Sequence, residues 1–413
     1  MQLTHKIALN STLEQISYFK RAAGTARFVW NWALGEWNRQ YGLGQKPKAM
    51  ALKKQFNQIK YQQYPWLTEV HRDSHAQPFT YLGKAWQRFF SELKNKQSAH
   101  EPRFKKKGKS RDSFYVANDK FRFEEGFVYL PKIGKVALCE SLRFEGKILG
   151  ATVSRTADRW FIAVQVEVPE HKALKKRTGN EIVGVDLGIT TAVTLSTGQK
   201  IDSPKPLKQA LRRLRIRSCR ISRKIEMAKA QTPKGARLSL SQNRQKSSQA
   251  LAKLHARIVN IRTDFTHKLT TQLCRENQAI GIEDLNVKGM LSNHKLARSL
   301  SDIGFGEFRR QLEYKVKRYG VHLVIADQWY PSTRLCSVCY TKNEALTLKD
   351  RQWQCSCCHT EHDRDLNASY NLERLATITA LPVANRPVTE DAVLGKNPYT
   401  GGKVTLVSYE CGQ

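Results

Sequence analysis

The 413-residue chain contains no apolar run of about 18 residues, few acids for its length and only nine cysteines. Each shortage excludes a class of protein. Without a long apolar run no membrane-crossing helix is expected, and no basic–apolar–small leader opens the sequence, so a cytoplasmic protein follows. Acids are outnumbered, 36 Asp and Glu against 70 Lys and Arg, for a net charge of +34. A charge this large repels itself in a compact state unless a polyanion is bound, which favours nucleic acid as partner over an anionic membrane. Cys139, Cys219, Cys274 and Cys411 are scattered, while the other five lie between Cys336 and Cys358. That clustering excludes a secreted disulfide framework and points to metal.

The chain has ample material for cores. Hydrophobic residues make up 40%, including 8 Trp, 14 Tyr and 16 Phe, and the length implies two or three domains. The opening MQLTHKIALNSTLEQ reads as a strand, a turn and a helix start, with Ser11 and Thr12 as caps and Glu14 and Gln15 behind them. Helical, aromatic-rich segments continue to about residue 100, and most of these aromatics are expected in a core. In EPRFKKKGKSRDSF, Arg103, Lys105, Lys106 and Lys107 suit phosphate contact. Residues 115–170 alternate as strands do; in WFIAVQVEV, Ile162, Val164, Val166 and Val168 share one face.

A second pattern begins at EIVGVDLGITTAVTLSTGQ with a buried strand, a glycine turn and another strand. Leu207, Leu211, Leu214, Ser218, Ile221 and Ile225 mark one long helix. Leu251, Leu254, Ile258, Ile261, Phe265 and Leu269 mark another. A break at Pro233 and Gly235 makes the pair a hairpin. Nine basic residues and no acid lie between Lys205 and Lys224, so Arg212, Arg213, Arg217 and Arg220 are read as a phosphate track. QAIGIEDLNV and VHLVIADQW are further strands, a last helix runs from about Asp365 to Thr377, and the rest lacks periodicity and reads as a disordered tail.

Cys336-x2-Cys339, fifteen residues, then Cys355-x2-Cys358 is the spacing of one tetrahedral, structural Zn²⁺, because each C-x2-C turn converges two thiolates on one ion. Cys357 and His359 spoil the pair spacing and are read as spectators. Asp186 in GVDLG, Glu283 in IGIEDL and an acid opening the last helix would be one carboxylate from each of two strands and one from a helix. That is how an RNase H-like fold holds two Mg²⁺ for phosphodiester hydrolysis. The period of two sends Asp284 to the face opposite Glu283. Between Asp363 and Asp365 residue physics does not decide.

The run VGVDLG…GIEDLNVKGM…PSTRLCSVC…CSCCHTEHDRDLNASYNL resembles the TnpB family of transposon-encoded RNA-guided DNA nucleases, relatives of small type V CRISPR effectors. KIALNSTLEQ, AGTARFVWNWAL, PRFKKKGKSRDSF and SQNRQKSSQALAKLHARIVNIRTDFTHKLT extend the resemblance in order over nearly the whole chain. It implies a catalytic, Mg²⁺-binding trio of Asp186, Glu283 and Asp365, the last because the family's acid precedes x-Asn-Ala, and zinc on Cys336, Cys339, Cys355 and Cys358. His359 stands where the family usually has Gly, and Ser369-Tyr370 replace smaller residues. The implied architecture is a multidomain α/β protein. A β-rich wedge (1–10 and 101–175) carries an inserted helical recognition domain (11–100). A RuvC-like, RNase H-like nuclease domain (180–330, hairpin 205–273) follows, with an inserted zinc ribbon (331–360), a last helix (361–377) and a tail (378–413). Partners would be a guide RNA and double- and single-stranded target DNA, in a prokaryotic, nucleoid-associated setting. A CRISPR effector and a transposon protein are not separable from one chain. A non-cleaving guided repressor would lose the acids. A strand-joining transposase is disfavoured by the resemblance. An actin-like ATPase would need a second Asp-Gly phosphate loop, which is not present, and neither the cysteine cluster nor the +34 charge is expected of one.

Overall fold

The computed structural model describes residues 1–233, 236, 238, 241–347, 349–380 and the backbone of 405–407. Gly235 and the tail segments 381–404 and 408–413, on which expectations were placed above, lie outside the described residues. The chain divides into two compact units, Met1–Glu170 and His171–Gln413.

The first unit begins with β1 (Gln2–Asn10), which the sequence hands to α1 (Leu13–Gly42) through a capping box. The Thr12 hydroxyl accepts the Gln15 N–H at 3.3 Å, and Gln15 Oε1 accepts the Thr12 N–H at 3.0 Å. α2 (Ala49–Gln63) and α3 (Asp73–Lys94) pack on α1 around Trp30, Leu34, Leu52, Phe56, Phe79 and Leu82. Six further strands follow: β2 (Ser113–Ala117), β3 (Arg122–Glu124), β4 (Phe127–Leu130), β5 (Gly134–Leu138), β6 (Lys147–Thr156) and β7 (Arg159–Glu167). They form one antiparallel sheet in the order β2-β6-β7-β1-β5-β4-β3. The first strand of the chain thus sits mid-sheet, and the alternation of β7 is matched by burial of Trp160, Ile162, Val164 and Val166.

After the one-turn α4 (Glu170–Ala173), the second unit starts with β8 (Glu181–Asp186), β9 (Val193–Leu195) and β10 (Lys200–Ile201). The basic hairpin is α5 (Pro206–Ala230) and α6 (Gln242–Glu276), with Leu207, Ala210, Leu214, Leu254 and Ile258 in its seam. Ser218 is exposed rather than seam-facing. β11 (Asn277–Glu283), α7 (Val287–Leu291), α8 (Ala297–Ile303), α9 (Phe305–Tyr319) and β12 (His322–Ala326) follow. Asp302 of α8 caps α5, its carboxylate accepting the Leu207 and Lys208 N–H groups at 2.7 and 2.8 Å. The ribbon contributes β13 (Gln352–Gln354) and β14 (Glu361–Asp363), and α10 (Arg364–Ala380) runs past the expected end at Thr377.

The sheet order is β10-β9-β8-β11-β12-β15, with β8, β11 and β12 parallel and the others antiparallel to their neighbours. β15 (Thr405–Val407) lies in the stretch expected to be disordered, and its backbone instead pairs along β12. One face of the sheet buries Val183, Val185, Ile280, Ile282, Leu323 and Ile325 against α6, α8 and α9. α10 covers the other face.

Candidate nuclease and metal sites

Two glycines set how α10 lies. Gly184 and Gly281 are register partners on neighbouring parallel strands. A Cβ on Gly184 would fall 1.8 Å from the Ser369 carbonyl oxygen, and one on Gly281 2.2 Å from that of Leu372. The helix backbone rests on the strands only because no side chain intervenes. By the period of two, Asp186 and Glu283 lie two residues onward on the same face, at the strands' carboxyl ends. Asp365 is in the first turn of the helix.

Asp186 is 6% exposed. Burial, and next the charges of Glu283 and Asp365, push its carboxyl well above the usual range, with Arg364 opposing. Burial also raises Glu283, opposed by a hydrogen bond from the Ser332 hydroxyl and by Arg364. Asp365 is flanked by Arg351, whose Nη1 stands 3.3 Å from both carboxylate oxygens, and by Arg364 at 3.6 Å. Asp363 is occupied differently. Its Oδ1 accepts the Leu366 N–H at 3.0 Å as the cap of α10, and its Oδ2 pairs with Lys200 at 2.7 Å. Asp284 points to the opposite face and pairs with Arg309 of α9. Three carboxylates from separate segments, with Glu283 and Asp365 both raising the proton affinity of the buried Asp186, offer only oxygen donors and fit a hard divalent cation such as Mg²⁺. Their oxygens do not all lie within 4.8 Å of one another; among the described residues only the cysteine quartet is that tight.

The quartet consists of two matching knuckles. The Tyr340 N–H donates to Cys336 O and the His359 N–H to Cys355 O, both at 3.0 Å. Returning bonds run from Cys336 N to Thr341 O at 3.0 Å and from Cys355 N to Thr360 O at 2.9 Å. Tyr340 and His359, each just after its second cysteine, have φ of 64° and 56°. That left-handed turn is where glycine is easiest, which gives the family's usual Gly at 359 a physical reason. Sulfurs are 3.6 Å apart for Cys336–Cys358 and 3.4 Å for Cys339–Cys355. Tetrahedral thiolates at 2.3 Å from a Zn²⁺ would lie about 3.8 Å apart, so the donors fit zinc. Cys357 is exposed and outside the quartet. His362, absent from the sequence reading, is buried with Nε2 3.1 Å from Cys336 Sγ and its ring 4.6 Å from Trp353.

Asn367 and Asn371, one turn apart on α10, tie the ribbon to the acid site. Asn367 donates to Leu335 O at 2.8 Å and accepts from Ser337 N at 2.9 Å. Asn371 donates to Ser332 O and Leu335 O at 2.8 and 2.7 Å. Ser332, Arg351, Arg364, Asn367 and Asn371 escaped sequence reading as site residues, because loops and side-chain amides carry no periodic signal. Asn367 alone had one, as part of x-Asn-Ala.

Among the expected phosphate contacts, Arg103, Lys106, Lys107, Arg212, Arg213 and Arg220 are exposed. Lys105 instead stacks over Trp30 at 4.0 Å, and Arg217 donates to the Ala250 carbonyl. Both are engaged internally because each sits on the packed side of its segment.

A family model described as "Probable transposase" matches residues 161–294, and "Cas12f1-like, TNB domain" matches 305–372. A "Helix-turn-helix domain" model matches 1–46, where the fold is a strand and one unbroken helix, Leu13–Gly42. A Streptomyces pristinaespiralis protein named "Putative RNA-guided DNA endonuclease" is 36% identical over 367 residues, covering 87% of this chain and 86% of its own. The chain belongs to the TnpB family. A second TnpB relative, Escherichia coli "Putative RNA-guided DNA endonuclease InsQ", is 28% identical over 89% of this chain and 90% of its own. The structure described as "Cryo-EM structure of the Cas12f1-sgRNA-target DNA complex" aligns at TM-score 0.47 and 15% identity, covering 88% and 83% of the two chains. Among the described residues of this TnpB-family chain no helix is long and apolar enough to cross a membrane.

Proposed function

We propose that the chain is an RNA-guided DNA endonuclease that cuts target DNA by Mg²⁺-dependent phosphodiester hydrolysis at Asp186, Glu283 and Asp365. The observation that carries this reading is the Asp186 carboxyl, pushed up first by burial and then by the charges of Glu283 and Asp365 from two distant segments. Such an arrangement opposes folding unless a cation binds there. Sheet order supports an RNase H-like, RuvC-like core: in chain order the first five strands read 3-2-1-4-5, with strands 1, 4 and 5 parallel. We assign β1 and β2–β7 to the wedge, α1–α3 to the recognition module, and the ribbon at 331–360 to an insertion before α10.

Asp186, Glu283 and Asp365 would hold the divalent ions. Bound there, the ions supply an activated water and steady the leaving oxygen. Ser332 orients the Glu283 carboxylate by its hydrogen bond, and Arg364 offsets repulsion among the acids. Arg351 and Arg364 hold Asp365 against rotation. The Cys336, Cys339, Cys355 and Cys358 thiolates close a four-sulfur shell with no open position, so their zinc is structural. Guide pairing selects the target, and the exposed Lys and Arg of α5 grip backbones without reading sequence.

The test is Asp186→Ala in the purified protein–guide RNA complex. Cutting of a matched plasmid in Mg²⁺ should fall at least about 10³-fold while DNA binding stays within about twofold. Undiminished cutting would remove Asp186 from the site.

A further inference from the structure

Trp329 is 82% exposed, more than any other aromatic side chain among the described residues. An indole left in water is unusual, since its ring is mostly apolar surface. Its backbone is nevertheless fixed. Asp327 Oδ1 accepts the Trp329 N–H at 2.8 Å, Asp327 O accepts the Tyr330 N–H at 3.0 Å, and Tyr330 O accepts the Ser332 N–H at 2.8 Å. The segment also begins and ends at one site acid. Ala326 is the register partner of Glu283, and six residues later Ser332 hydrogen-bonds the Glu283 carboxylate. At 3.8 Å per step, the Trp329 Cα lies within about 11 Å of that of Ser332. The turn therefore carries an exposed indole on a fixed stretch of backbone whose two ends both adjoin Glu283.

We propose that Trp329 is a positioning residue, a platform on which an unpaired nucleobase of the DNA strand being cut stacks, setting the neighbouring phosphodiester over the carboxylates. The inference rests on the nuclease reading above. A single strand has no complementary base to fix its geometry. An indole supplies that constraint for any base, since every base has a flat π-face, and so it orients without imposing sequence preference.

The test uses the full-length protein–guide RNA complex and matched DNA carrying either 2-aminopurine or an abasic site at each nucleotide flanking the mapped cut. In Ca²⁺, 2-aminopurine at one position should be quenched by the wild type and not by Trp329→Ala. In Mg²⁺, Trp329→Ala should slow cutting about tenfold, within the range of one base–aromatic stack, while Trp329→Phe keeps most of the rate. The abasic site at the quenched position should slow the wild type and leave Trp329→Ala unchanged. Trp329→Leu, which keeps apolar bulk without a ring face, should behave as Ala does and guards against a folding defect peculiar to Ala. Equal cutting by wild type and Trp329→Leu, or an abasic penalty of the same size in both, would overturn the stacking role. A wild-type complex that does not cut in Mg²⁺ would overturn the nuclease reading itself, before any variant is made.

Discussion

The second unit holds two candidate metal sites built by opposite strategies. The cysteine quartet is local: Cys336 and Cys358 are 22 residues apart, and each knuckle fixes its own pair through two backbone hydrogen bonds. The acid trio is assembled from β8, β11 and α10, and its geometry depends on where a helix lands on a sheet. A site of the first kind writes its shape into sequence spacing. One of the second kind is only as good as the packing beneath it.

Breaking each site separately sharpens that contrast. Cys355→Ser should reduce bound zinc from about one equivalent per chain to none by elemental analysis. Because Asn367 and Asn371 fasten the ribbon to α10, cutting should fall with it; full activity without zinc would show the two sites to be independent. Gly281→Ala should be the severe lesion for the trio. Its Cβ would meet the Leu372 carbonyl at 2.2 Å, so α10 must lift, at a cost of about 3 kcal/mol or more in thermal unfolding, with zinc content unchanged.

Proton linkage offers a gentler probe. Asp186 and Glu283 have folded-state proton affinities raised above ordinary values of 3.8 and 4.5. Their protonated forms therefore favour the fold below about pH 4, and that stability is lost as pH rises through the raised folded values. In chelator, the melting temperature should fall from mildly acidic toward neutral pH. Asp186→Asn should flatten the decline, and Mg²⁺ should reverse it; a pH-independent difference between variant and wild type would contradict the repulsion. Asp363→Ala should be the smallest effect, a lost helix cap worth about 1 kcal/mol with cutting retained. Loss of cutting instead would move the catalytic role from Asp365 to its neighbour.

The same contrast explains what was legible beforehand. C-x2-C spacing named the four cysteines, and the alternation of Ile162, Val164 and Val166 named β7, because both are local periodicities. The amphipathic spacing of Leu254, Ile258 and Leu269 likewise marked α6. Strand period also sent Asp284 away from Glu283, toward Arg309. Choosing Asp365 over Asp363 needed family resemblance, since capping and metal binding both place an Asp at a helix start. Ser332, Arg351 and His362 were invisible because their partners, Glu283, Asp365 and Cys336, are remote in sequence. The expectation of a featureless tail failed at Thr405–Val407 for a related reason: strand addition at an edge depends on the edge offered, not on the pattern of the added segment.

That short strand has a consequence for handling the protein. By lying along β12 it occupies peptide groups that would otherwise face outward as a template for a foreign chain. Trimming the molecule after α10 would keep the acid trio and the cysteine quartet, yet leave a sheet border open to sticking. Preparations shortened in this way should be judged first by their colloidal behaviour, since a fall in activity could reflect self-association alone.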